Sequence, residues 1–279
     1  MLDISPKRQL LLLFGFYCFS NVFGSFIVLT IQPLTSDQAT KLAPSIISVF
    51  AYLIPAFVAF RLFTKDSLPT YWRLSISFSK KSFFVTVLIM GCCIILMNWL
   101  LEINKSIPLF HWMEADETEA NTKLMQYLKM NDFWQLSLNL VIFSVVPSFC
   151  EEVFFRGTMQ PLWYRCFSNI WVAVLFTAFI FSFLHFRFAG FLPRFLAGIV
   201  LGSIFYITSN LWLSIIGHVL YNGSLVVLNY ANQHHQVNVI HLEHQLLNPF
   251  LVILATALML LLFYQLHRET LKKQNLHSS

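Results

Sequence analysis

The chain has 279 residues, of which 57% are hydrophobic and only 11% are charged, and its mean hydropathy is +0.66. Such composition excludes an ordinary soluble domain and is typical of a chain that crosses a membrane several times. The net charge of +5 comes from Lys and Arg between apolar stretches, without a basic patch interleaved with aromatics, so we expect a lipid bilayer and no nucleic acid as partner.

Eight apolar stretches predict eight membrane-spanning helices, in an all-α, polytopic membrane helix bundle. The first stretch follows Lys7 and Arg8 but is too long for the core of a signal peptide, so we expect it to remain as a helix. The alternating pattern of a membrane β-barrel is absent. The predicted spans are 9–31, 44–62, 82–101, 134–158, 171–187, 192–208, 211–230 and 248–266.

The loops predict the orientation of the bundle. The loop between the second and third spans and the tail after the last span carry Lys and Arg, so both are predicted to be cytoplasmic, together with both termini. The loop 102–133 is acidic, and the loop 231–247 contains no Lys or Arg, so both are predicted on the far side. Residues 122–130 are amphipathic and predict either a short interfacial helix or a solvated connector.

The fourth span contains three charged residues, Glu151, Glu152 and Arg156. Charge at membrane depth is costly and therefore marks a candidate functional site. Glu152 and Arg156 are four residues apart on one helix face and can pair. Glu151 lies about 100° further round the helix, and a carboxylate left without a cation in an apolar site is suited to general acid or base work near neutral pH. The alternative is a charged cap just past the end of the span.

Two later spans carry isolated polar groups. His185 ends an aromatic span, where a histidine at the interface is the alternative to a functional one. His218 and Asn222 are four residues apart and predict a shared polar cavity or a shared hydrogen bond, which could also be a simple contact between helices. Gly198 and Gly202 form a small-residue pattern that permits close approach of helices.

These groups can meet only if the fourth helix is long. A helix that ended near Cys150 would leave Glu151 at a different depth from His185. We therefore predict that the helix, bent at Pro147, continues to about Tyr164.

The three motifs together resemble the CAAX protease and bacteriocin-processing family of intramembrane endopeptidases. The resemblance covers about 134–230. It consists of Glu-Glu-x-x-x-Arg, Phe-x-x-x-His and His-x-x-x-Asn, in that order, at Glu151, Glu152, Arg156, Phe181, His185, His218 and Asn222.

The resemblance implies an enzyme that hydrolyses a peptide bond in a membrane-tethered protein or a small peptide. Glu151 with His185 would activate a water, and His218 and Asn222 would stabilise the oxyanion. Glu152 and Arg156 would hold the helix in place, and Phe181 would support His185. The expected location is the plasma (inner) membrane of a bacterium, as a multi-pass protein.

The need for a metal stays open. Two His and a Glu are zinc ligand types, but His-Glu-x-x-His is absent and Asn222 is a better oxyanion donor than zinc ligand, so a metal-independent reaction is favoured. Five cysteines without metal-type spacing predict neither disulfides nor structural zinc. We expect three parts: the N-terminal helices with the acidic loop (1–133), a catalytic core (134–230), and a loop with the final helix and tail (231–279).

Two other functions remain open from the sequence. A non-catalytic membrane adaptor or bacteriocin-immunity protein could keep the motifs for packing. A small transporter could use the buried charges as a proton relay, although the internal repeats expected of such a transporter are absent.

Overall fold

The computed structural model describes residues 2, 4–31, 41–74, 78–235, 237 and 245–278, and all regular structure in these ranges is helical. The all-α membrane bundle predicted from the sequence is thereby confirmed. The helices are α1 (Pro6–Ile31), α2 (Ala43–Phe63), α3 (Leu68–Tyr71), α4 (Lys80–Lys105), α5 (His111–Tyr127), α6 (Phe133–Phe167), α7 (Ile170–Phe183), α8 (Phe191–Thr208), α9 (Leu211–Gln233) and α10 (Pro249–Ser278).

Seven of the eight predicted spans correspond to helices that are long and apolar enough to cross a membrane in the described part of the chain. The exception is α7, which has only 14 residues where the sequence predicted a span of 171–187. The surface agrees with a lipid environment, because large apolar side chains such as Leu11 and Phe19 are 73% and 75% exposed.

The helix α6 confirms the prediction of a long fourth helix, since it runs without a break through 35 residues and ends beyond Tyr164. Two of its turns, Val141–Val145 and Phe155–Met159, are π-helical, and each is followed within two residues by a proline. Proline lacks the N–H that an α-helix needs, and the wider turn accommodates that loss. Glu151 and Glu152 lie between the two π turns.

Small residues bring α7 and α8 into close contact, as the glycine pattern predicted. A Cβ atom at Gly198 would lie only 2.8 Å from the Cβ of Ala178. One turn later, a Cβ at Gly202 would meet the side-chain oxygen of Gln160 at 2.8 Å. The backbone of α8 therefore lies directly against both α7 and α6 at the depth of the charged cluster.

The acidic loop folds as α5, a helix that begins earlier and is longer than the predicted segment 122–130. None of its residues is buried. Its Glu117 accepts hydrogen bonds from Arg187 (2.9 Å) and from the backbone N–H of Ala189 (3.1 Å). The helix is therefore tied to the loop between α7 and α8, which also carries His185.

Candidate active site

Two adjacent carboxylates, Glu151 and Glu152, are buried in the bundle, and Glu152 forms the centre of a hydrogen-bond network. Arg156 Nη1 donates to Glu152 Oε1 at 2.6 Å, which confirms the pairing predicted from their spacing. His218 Nδ1 lies 2.8 Å from the same oxygen, and the hydroxyl of Ser214 donates to Oε2. Both Glu152 and Arg156 are 0% exposed, so these contacts compensate charges that would otherwise be very costly to bury.

Arg156 extends the network to α8 and α7. Its Nη2 donates to the backbone carbonyl of Gly198 at 3.2 Å, which the absence of a side chain there allows. The guanidinium carbon lies 4.8 Å from the ring centroid of Phe181, a cation–π distance. Arg156 thus joins three helices around Glu152.

Glu151 is buried beside this network but lies outside it. Its ion-pair contact is with His218, whose Nε2 lies 3.8 Å from Glu151 Oε2. This distance is too long for a direct hydrogen bond and suits a bridging water. Glu151 also interacts electrostatically with Tyr17 on α1 and Tyr52 on α2, which are both buried.

Both histidines are held through one ring nitrogen. His185 Nδ1 lies 2.7 Å from the backbone carbonyl of Phe181, so it carries the proton and leaves Nε2 as an acceptor. His218 is held by Glu152 through Nδ1, and its Nε2 faces Glu151. The ring of Phe181 lies between the two histidines, with centroid distances of 5.0 Å to His185 and 5.7 Å to His218.

The register between α6 and α7 brings His185 to the depth of Glu151. The two helices run antiparallel, because Trp163 contacts Phe176 (5.5 Å) and Phe155 contacts Phe181 (5.1 Å). One further turn along α6 reaches Glu151, and the four residues after Phe181 reach His185, just past the end of α7. The continuation of α6 past Arg156 is what makes this antiparallel register possible.

Asn222 and His218 bond to different residues of α6 in the part of the chain that the structure describes. Asn222 Nδ2 donates to Ser148 Oγ at 3.2 Å, one turn before Glu151 and Glu152. The shared hydrogen bond that their spacing allowed is therefore replaced by two separate contacts to α6. Asn222 remains partly exposed, so its amide can still reach a ligand.

Sequence reasoning missed two members of this site. Ser214 lies one turn before His218, and this spacing of four residues was a readable signal that both face Glu152. Arg194, in the first turn of α8, acts electrostatically on both Glu151 and His185. No motif pointed to Arg194.

Within the described ranges, no three His, Cys, Asp or Glu side chains are grouped so that they could hold a metal ion. The five cysteines are all free, and Cys18 is exposed rather than part of the core. The arrangement offers a buried carboxylate close to one imidazole, a second imidazole on the other side of the Phe181 ring, and an amide one turn further along α9. Such a set can activate a water and stabilise a developing oxyanion.

A comparison with protein-family models gives one match, to the family described as type II CAAX prenyl endopeptidase Rce1-like, over residues 133–224. The matched segment contains all seven residues of the three motifs. Neither the curated proteins nor the solved structures contain a match to the chain.

Proposed function

We propose that the protein is an intramembrane endopeptidase of the CAAX protease and bacteriocin-processing family, because residues 133–224 match the type II CAAX prenyl endopeptidase Rce1-like model. It would hydrolyse a peptide bond in a membrane-tethered protein or a small peptide, within a catalytic core of about 134–230. Its location would be the plasma membrane of a bacterium. The observation that carries the proposal is the separation of roles in the charged pair. Glu152 is fully engaged with Arg156, His218 and Ser214, whereas Glu151 faces an imidazole nitrogen at 3.8 Å.

In the proposed reaction, a water held by Glu151 and His185 attacks the carbonyl carbon of the scissile bond. Glu151 accepts a proton from that water as the C–O bond forms. The carbonyl oxygen becomes an oxyanion, which His218 and the amide of Asn222 would stabilise. Collapse of the tetrahedral intermediate breaks the C–N bond, and the proton held by Glu151 passes to the departing amine.

The network around Glu152 supports this chemistry without taking part in it. Glu152 holds His218 by Nδ1 and so directs Nε2 towards the reacting position. Arg156 holds Glu152, and Phe181 packs against both imidazoles. These three residues are therefore positioning residues in the proposal.

The first test compares Glu151→Gln with the wild type, both purified and reconstituted in lipid. Cleavage is followed with a library of quenched fluorescent peptides and with peptides that carry a lipid on cysteine. Because general base catalysis contributes about 10²- to 10⁴-fold, we expect Glu151→Gln to lower kcat by at least about 100-fold. His185→Ala should have an effect of similar size.

The control is Glu119→Gln, which removes one carboxylate from an exposed ion pair on α5 and should leave both cleavage and thermal unfolding unchanged. A fully active Glu151→Gln protein with an unchanged unfolding temperature would refute the proposal. In that case, retention of the biological phenotype in both site variants would favour the non-catalytic adaptor.

A further inference from the structure

Arg194 is a half-buried cation whose two buried nitrogens have no hydrogen-bond partner among the described residues. These nitrogens are Nε and Nη2. The side chain lies over the start of α8, where a Cβ at Gly190 would approach Nη1 to 2.6 Å. An unpaired guanidinium at this depth is costly, which is the usual mark of a functional group in a membrane protein.

The charged and polar groups near Arg194 form no hydrogen bond with its buried nitrogens in the described part of the chain. The groups that act on it electrostatically are Tyr221, Glu117, Arg187 and Glu151. The carboxylate of Glu117 is occupied by Arg187 (2.9 Å) and by the N–H of Ala189 (3.1 Å). Glu151 makes no described hydrogen bond to Arg194, and its 3.8 Å contact is with His218. The guanidinium therefore has hydrogen-bonding capacity left for an anion from outside the chain.

Arg194 is accessible in part, although two of its nitrogens are buried. It interacts electrostatically with both Glu151 and His185, the two residues that would hold the water in the proposed reaction. An anion bound by Arg194 would therefore lie near these groups.

We propose that Arg194 binds a carboxylate of the substrate and thereby determines which peptides are cleaved. The planar guanidinium offers two parallel N–H groups, the geometry that a carboxylate requires. The carboxylate can come from the carboxyl end of a peptide or from an Asp or Glu side chain close to the scissile bond. The inference rests on the proposed endopeptidase function and adds a specificity-determining residue to it.

The test uses three peptides of identical sequence around the cleaved bond. The first has a free carboxyl end, the second a carboxamide end, and the third a carboxamide end with an added Glu near the cleaved bond. The wild type should cleave a peptide with the carboxylate about 10- to 100-fold better in kcat/KM than the plain amide, the worth of one charge-assisted contact. Activity on the first or the third peptide identifies the source of the carboxylate.

The variants separate recognition from general electrostatics. Arg194→Gln should lower kcat/KM for the carboxylate peptide alone. That value should then equal the kcat/KM for the amide peptide within about 2-fold. Arg194→Lys, which keeps the charge but loses the two-pronged geometry, should give an intermediate preference. Lys105→Gln removes a cation from an exposed ion pair at the end of α4 and should keep the wild-type preference. A wild type without preference, or an equal loss on all peptides in Arg194→Gln, would overturn the inference.

A binding measurement distinguishes failure of this inference from failure of the proposed function. Calorimetry with the inactive Glu151→Gln protein should show tighter binding of the carboxylate peptide than of the amide, and Arg194→Gln in that background should remove the difference. If the binding preference is present but the wild type cleaves no peptide, the carboxylate site stands and the endopeptidase proposal fails. If cleavage occurs and binding is indifferent to the carboxylate, the endopeptidase stands and the role of Arg194 is refuted.

Discussion

Two neighbouring carboxylates, Glu151 and Glu152, have opposite surroundings although both are buried. Glu152 is hydrogen-bonded by Arg156, His218 and Ser214. Glu151 has only a longer contact, in which its Oε2 lies 3.8 Å from His218 Nε2. Chemically identical substitutions at the two positions should therefore have opposite consequences for stability and for catalysis.

We predict that Glu152→Gln lowers the free energy of unfolding by about 3 kcal/mol, because it leaves Arg156 as a buried charge without a counterion. Glu151→Gln should change it by less than about 1 kcal/mol, since no described hydrogen bond or close ion pair is lost. Reversible denaturant unfolding in detergent micelles, followed by tryptophan fluorescence, measures both. An equal loss of stability in the two variants would contradict the division of roles.

The sequence predicted the parts of this network that lie on one helix and missed those that join helices. The spacing of four residues between Glu152 and Arg156 was sufficient, since an α-helix fixes the distance between such positions. The bond from His218 to Glu152 depends on how α9 is rotated and shifted against α6, and no local spacing contains that information. For the same reason Arg194 carried no signal, although its guanidinium acts on two residues of the predicted site.

At the scale of helices, the close contact of α7 and α8 holds the site together. A Cβ at Gly198 would meet both Cα and Cβ of Ala178 at less than 3.0 Å, and the carbonyl of Gly198 accepts a hydrogen bond from Arg156. An added methyl group must therefore move one helix backbone, and the movement would reach the arginine that holds Glu152.

We predict that Gly198→Ala lowers the free energy of unfolding by about 1–3 kcal/mol, the usual cost of overpacking. The matched control is Gly91→Ala, also inside a long helix, where nothing lies within 4 Å of the added Cβ. That change should be neutral or raise stability by up to about 1 kcal/mol, because alanine favours the helix more than glycine does. Thermal unfolding in the same detergent compares the two, and equal effects would show that α7 and α8 can separate freely.

Helix bounds were predictable where a long apolar stretch decided them and less so elsewhere. The extension of α6 to Phe167 followed from the need to bring Glu151 level with His185. The short α7 ends at Phe183, four residues before the predicted end, because the chain turns there and Arg187 bonds to Glu117. That contact joins residues that are 70 apart in sequence, so no local sequence pattern predicts it.

At the scale of the whole molecule, the described contacts sort the loops into two groups. At one end of the bundle, Leu2 bonds to Leu62, Arg73 to Leu211, and Lys81 to Glu269. At the other end, Lys41 bonds to Lys129 and Met130 to Gln233. The loops predicted to be cytoplasmic all belong to the first group, which we call the basic end, and the loop with α5 belongs to the opposite, acidic end.

The short α7 does not disturb this grouping. Its first turn lies next to the last turn of α8, as the contact between Trp171 and Tyr206 at 6.2 Å shows. The start of α7 and the end of α8 therefore lie together, as in an antiparallel pair. Seven of the described helices are long and apolar enough to cross a membrane, so the eighth pass, through the 14-residue α7, stays a prediction. With eight passes, the chain would enter and leave at the basic end, as the loop charges predict.

The predicted orientation can be tested with two cysteine variants in intact bacterial cells. Asp66→Cys lies at the basic end and Asp116→Cys on α5, and both positions are exposed. Because Lys and Arg near spans are retained in the cytoplasm, a membrane-impermeant maleimide should label Asp116→Cys in intact cells and Asp66→Cys only after permeabilisation. The unsubstituted chain gives the background from its own cysteines. The reverse pattern would show that the bundle has the opposite orientation. The helix α5, which is bonded to the loop that carries His185, would then face the cytoplasm.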